Sequence, residues 1–218
     1  MIGPLRCILP FDDFGSLAAV RPNVPFPGNP YPQETSINEV LWRTLVGNRD
    51  LQGRVAPASF SRLPEIHWKA CGVSSDFTGK DAHTVQMIRL PIFNSVRSVC
   101  QECQIDGRDF QSYFPPQRDV GFEMTIGLED ALTRVENALT GRRLMTTTEG
   151  YLGLAIREAR QGDLVAILYG CSCPVILRRR GDGTFHFVGE AYMHGIMDGE
   201  AMDRLQAGKY QSETFTIK

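Results

Sequence analysis

The segment VGEAYMHGIMDGE, residues 188 to 200, gathers Glu190, Tyr192, His194, Asp198 and Glu200 in one short stretch punctuated by Gly189, Gly195 and Gly199. If residues 186 to 194 form a strand, its two-residue period puts Glu190, Tyr192 and His194 on one face. A carboxylate, a phenol and an imidazole side by side can donate, accept and pass protons. These three are therefore the candidate catalytic residues, with Asp198 and Tyr151 as candidate substrate-binding groups. The competing reading is structural: Tyr192 and His194 satisfy backbone groups of a barrel, and Glu190 pairs with an arginine such as Arg178. Glycines flanking a polar strand mark bulges or close backbone approach, so Val at Gly189 or Gly195 is expected to damage folding.

Thiols offer a second chemistry. Cys100-x-x-Cys103 and Cys171-x-Cys173 could bring four thiolates to zinc, with His194 as a substitute ligand. The first pair falls in a helical pattern among apolar neighbours and the second in a turn, so buried or incidental thiols are the default and no metal is expected. The sequence has no G-x-S-x-G elbow, no phosphate-binding G-x-x-x-x-G-K-[ST] loop, no G-x-G-x-x-G fingerprint and no H-E-x-x-H. No cofactor is expected. The run Arg178-Arg179-Arg180 ends a strand pattern and reads as a solvated face.

The elements that must position these residues change period along the chain. Seven of the 13 prolines lie in the first 32 residues, and RPNVPFPGNPYPQ removes backbone donors while fixing φ, so residues 1 to 34 read as an extended arm. Phe26 and Tyr31, interleaved with those prolines, would let the arm lie across the body or serve as a polyproline ligand; a surface linker is the plainer alternative. Residues 35 to 141 read as mainly helical. Thr35 or Ser36 caps a helix whose apolar stripe is Ile37, Val40, Leu41 and Leu45, widened by Trp42 and Val46. Residues 83 to 105 suit a helix pair or one helix kinked at Pro91, and Leu128, Leu132, Val135 and Leu139 mark another helix closed by Gly141. After Gly141 come short β-type runs, RRLMTTT, YLGLA, DLVAILYG, PVILRRR and FHFVGEAYM, separated by turn residues. Arg180 to Thr184 is the clearest hairpin. Five such strands on tight turns suit a small antiparallel barrel from about 142 to 195, within a unit running to 218 that ends in a helical turn and an edge strand. The expected class is α+β, the barrel and helices forming one compact unit.

Composition sets the outer bounds. In 218 residues, 42% hydrophobic and 22% charged, there is enough apolar material for a real core. The formal charge of −2 gives no broad electrostatic footprint for nucleic acid or an anionic membrane. No apolar run approaches the ~18–20 residues that span a bilayer, and the N-terminal residues lack the pattern of a secretory signal. A cytoplasmic location with reduced thiols is expected.

RRLMTTTEGYLGLA, GDLVAILYGCSCPVILR and VGEAYMHGIMDGE, in that order with short spacers between Arg142 and Glu200, resemble the C-terminal region of fungal heterokaryon-incompatibility (HET) proteins. TSINEVLWRTLVGNR, residues 35 to 49, also resembles a helix carried upstream in that family. Two departures stand out: Ala155-Ile156 where the family commonly has Gly-Pro, and Ala191 where Cys is frequent. The resemblance implies an N-terminal HET effector domain, which has no counterpart in these residues, so this chain is not expected to carry the incompatibility function by itself. Two functions remain open. One is a cofactor-independent enzyme of fungal secondary metabolism that folds a hydrophobic small molecule, for example a pericyclase of the Diels–Alder type, with Tyr192 or His194 bonded to a substrate carbonyl. The other is a non-enzymatic regulatory or interaction module of an incompatibility protein.

Overall fold

The computed structural model describes residues 3–8, 30–65, 104–105, 108–113 and 126–218. Its centre is a closed antiparallel barrel. Strands β4 (Arg142–Thr147), β5 (Leu152–Ile156), β6 (Leu164–Ala166), β7 (Val175–Arg179) and β8 (Phe185–Met193) come from the last third of the chain, as the period change predicts. The sixth, β1 (Gly3–Ile8), comes from inside the proline-rich segment and pairs with both β4 and β6, giving the order β1-β4-β5-β8-β7-β6. The barrel thus reaches beyond residues 142 to 195 for its closing strand. Two-residue strands β2 (Gln104–Ile105) and β3 (Arg108–Asp109) pair with each other and lead into a 3₁₀ turn at Phe110–Tyr113. Gln104 and Ile105 therefore depart from the helix expected over 83 to 105; the rest of that segment, with Cys100 and Cys103, lies outside the described residues.

Helix α1 (Ile37–Leu45) starts where Ser36 accepts a hydrogen bond from the Glu39 amide at 3.1 Å, and Glu39 pairs with Arg43 one turn on. It buries Val40, Leu41, Trp42 and Leu45, most of the expected stripe. A 3₁₀ segment, Ala58–Glu65, plugs Phe60 and Leu63 between α1 and α2 (Ile126–Leu139). Helix α2 buries Leu128, Leu132, Val135 and Leu139 and ends at Gly141, whose φ of +70° suits glycine and turns the chain into β4. Helix α1 lies against β5, so the helices cover one flank of the barrel wall. None of the helices among the described residues is long and apolar enough to cross a membrane.

The β7–β8 hairpin is tied by Asp182, which accepts from the Thr184 amide and hydroxyl at 3.0 and 2.6 Å, with Gly183 at φ +80°. In β7 the run Val175-Ile176-Leu177 is buried without alternation. Ile176 joins the main core, while Val175 and Leu177 face a second apolar cluster with Phe185 that the C-terminal segment covers through Phe215. That segment follows α3 (Glu200–Gln206) and runs parallel to β8, the Phe185 amide donating to the Thr216 carbonyl at 2.8 Å and the Lys218 amide to the Phe185 carbonyl at 2.9 Å. A sheet covered on both faces reads as a continuous apolar run.

Candidate functional site

Strand β8 carries Ala191 and Met193 into the core, so Tyr192 and Glu190 take the opposite face by the strand period. His194 follows immediately, its amide donating to the Leu152 carbonyl of β5 at 3.1 Å. The Tyr192 hydroxyl and His194 Nδ1 are 3.0 Å apart. Burial pushes the His194 pKa down to about 4, helped by the Arg43 guanidinium and opposed by Glu39 and Asp198. Burial, with the Tyr31 hydroxyl adding to it, holds the Tyr192 phenol well above its ordinary range. Both groups are therefore neutral at pH 7, and one hydrogen bond joins the phenol and Nδ1, its direction set by the imidazole tautomer.

The ring that seals this pair is Tyr31. Its centroid lies 5.6 Å from that of His194 and 5.8 Å from that of Tyr151, and its hydroxyl accepts from the Leu152 amide at 2.7 Å. Leu152 thus binds His194 through its carbonyl and Tyr31 through its amide. Gly195, at φ +74°, stands with its α-carbon open toward the same ring: a Cβ there would meet Tyr31 Cε1 at 3.5 Å. Gly189 is constrained differently, since a Cβ would press on Ile156 Cδ1 and Cγ2 at 2.9 Å. Both positions carry the constraint expected of them, one by conformation and one by packing.

The other expected site residues are placed elsewhere. Glu190 is more than half exposed and forms an ion pair with Arg142, while Arg178 makes a two-point contact with buried Asp163 at 2.9 and 2.8 Å. Asp198 is exposed and bonded to Arg49 at 2.8 Å. Tyr151 is buried, with its hydroxyl 3.0 Å from that of Tyr210, which also accepts from Arg204 Nη1 at 3.0 Å. Tyr210 in turn lines a groove of about 370 Å³ between the β6–β7 loop and the C-terminal segment, walled by Leu168, Tyr169, Met202, Leu205 and Phe215. None of Glu190, Tyr192, His194, Asp198 and Tyr151 lines that groove. Cys171, on its rim, and Cys173 are free thiols, and no group of three or more metal-ligating side chains occurs among the described residues.

Residues 124–211, from just ahead of α2 to just beyond α3, match the family model of the Het-6 beta-barrel domain. This part of the chain is similar to the Het-6 beta-barrel domain. Over 68 residues the chain is 40% identical to heterokaryon incompatibility protein 6, OR allele, of Neurospora crassa, a stretch that is 30% of this chain. The matched stretch is 10% of that relative, so the chain spans about a tenth of the length of the curated protein it resembles. No solved structure matches significantly. The likeness to a HET-related C-terminal region expected from the three sequence runs is thus found.

The matched residues hold α2, the five strands β4 to β8 and α3, and with them Tyr192, His194, Tyr151 and Tyr210. Strand β1 and Tyr31 lie outside the matched residues, although β1 closes the barrel and Tyr31 seals the Tyr192–His194 pair. The sequence places Tyr31 in the arm but carries no sign of its partner, and nothing in it singles out Tyr210 or Arg204. The aromatic residues set among prolines were the one available signal for Tyr31. For Tyr210 no local pattern exists, because its partners come from β5 and α3.

Proposed function

We propose that this protein binds a hydrophobic small molecule, and that the groove beside Tyr210, not the Tyr192–His194 pair, receives it. The observation that carries this is the composition of the groove: apolar walls from Leu168, Met202, Leu205 and Phe215 with the phenols of Tyr169 and Tyr210 among them. The Tyr192–His194 pair is better suited to fixing the end of β8 against β5, because its side chains bond to each other beside Tyr31 and the His194 amide bonds to Leu152. A binding site of this kind supports reactions that need shape and one hydrogen bond rather than proton transfer. Pericyclic ring closure of the Diels–Alder type, in fungal secondary metabolism, is the reaction class and setting we assign. The test is to incubate the purified protein with extracts of a host lacking its gene and to follow metabolites by mass spectrometry. Consumption of an apolar metabolite, lost in Leu205→Arg, is expected; retention of activity in that variant, or no metabolite bound or consumed, overturns the reading.

A second reading, a non-enzymatic regulatory module, is favoured by the likeness to the Neurospora incompatibility protein. It predicts a stable complex with a purified HET-domain protein on size exclusion, and no metabolite turnover.

A further inference from the structure

We infer that the Tyr210 hydroxyl is the recognition donor of the groove and that it selects apolar molecules bearing a neutral carbonyl oxygen; the inference rests on the groove being the binding site. A phenol has one proton and two lone pairs. Arg204 Nη1, 3.0 Å from the Tyr210 oxygen, can only donate, and it fills one lone pair. The Tyr151 hydroxyl is 3.0 Å from the same oxygen. Tyr151 is buried, and its hydroxyl has no other polar partner among the described residues. A buried hydroxyl proton requires an acceptor, so Tyr151 donates and Tyr210 accepts a second time. Both lone pairs of Tyr210 are then occupied, and its own proton is left without an acceptor among the described residues.

That proton belongs to a residue lining the groove, beside Met202 and Leu205. Two incoming donors, one of them cationic, polarise the phenol and strengthen its outgoing bond. A ligand group that can only donate finds no free lone pair on the Tyr210 oxygen. Glu213, on the same lining, disfavours a carboxylate. What suits the Tyr210 proton is a neutral acceptor on an apolar body, such as a ketone, aldehyde or ester. The Arg204 guanidinium carbon also lies 5.3 Å above the Tyr151 ring and 5.8 Å from the Tyr210 ring, which holds the donor in place.

Fluorescence titration with two probes tests this: prodan, a naphthalene dye bearing a propionyl ketone, and its dimethylaminonaphthalene parent without the ketone. After correction for their octanol–water partition, wild-type protein should prefer prodan by about 3- to 10-fold, the worth of one net hydrogen bond. Tyr210→Phe should erase that preference, leave the parent dye's affinity unchanged, and move the emission of bound prodan to the blue as its carbonyl loses the bond. Equal corrected affinities in wild type, or a preference and emission that survive Tyr210→Phe, overturn the assignment of Tyr210 while leaving the groove intact. Failure of both dyes to bind, or parent-dye binding that is unaffected by Leu205→Arg, overturns the groove itself. The wild-type comparison stands without any variant, should Tyr210→Phe lose stability.

Discussion

His194 is a neutral imidazole enclosed by Tyr31, Tyr192 and the charges of Arg43, Glu39 and Asp198, with a pKa pushed down to about 4. In the unfolded chain it protonates near 6.5, so as the pH falls from about 6.5 to 4 the unfolded state takes up a proton that the folded state refuses. Stability is therefore lost on acidification through that window, by at most about 3 kcal/mol, and is fully present above it. Chemical denaturation followed from pH 7.5 to 4 should show the slope, and His194→Gln should flatten it; the lowered carboxylates of Asp50 and Asp182 act only below the window. Tyr31→Phe should cost about 1–2 kcal/mol, because the Leu152 amide loses its acceptor in a buried site, and thermal melts will read it. The Tyr192–His194 pairing was legible from sequence because the two residues stand two apart at the end of one strand. Tyr31 on Leu152 and Tyr210 on Tyr151 join residues far apart in the chain, and no local period encodes such a meeting.

The period of each element was readable wherever one face is buried. The stripes of α1 and α2 and the turns between β4 and β8 follow the sequence pattern closely, since helix and strand periods are set by backbone geometry. Strand β1 was not readable: GPLRCI has no clean alternation, and Pro4 sits within the strand, opposite Leu164 of β6, where the sequence rules place proline only at margins. Two tight places in the barrel give element-scale predictions. A Cβ on Gly153 would collide with the Tyr192 carbonyl oxygen and approach Met145 Cε to 2.9 Å, across the β4–β5–β8 pairing, so Gly153→Ala should cost about 3 kcal/mol or more, seen as a lowered denaturation midpoint. Asp163, nearly fully buried, anchors both Arg178 of β7 and the Arg160 amide ahead of β6. Asp163→Ala leaves the Arg160 amide without its acceptor and Arg178 with the Glu158 carbonyl alone, and should destabilise by about 3 kcal/mol, with Asp163→Asn retaining the amide contact and costing less.

At the scale of the whole molecule, the closed barrel is assembled from both ends of the sequence. Without β1, the edges of β4 and β6 stand open, and open edges recruit other chains. Deleting residues 1 to 8 should therefore lower the melting temperature and produce concentration-dependent association, which light scattering will detect. The α+β class was legible because the helical and strand patterns occupy separate stretches; the closure was not, because it depends on which distant edges meet. The same separation governs the time course of folding. The α1 and α2 turns and the β7–β8 hairpin form from near neighbours, while the pairing of Leu5 with Thr147 and of Gly3 with Val165 must first bring remote parts of the chain together, an entropically slow event. In pulse-labelled hydrogen exchange during refolding, amides of β1 and their partners should gain protection last. A nascent chain would hold its first strand unpaired until β4 and β6 had both been made.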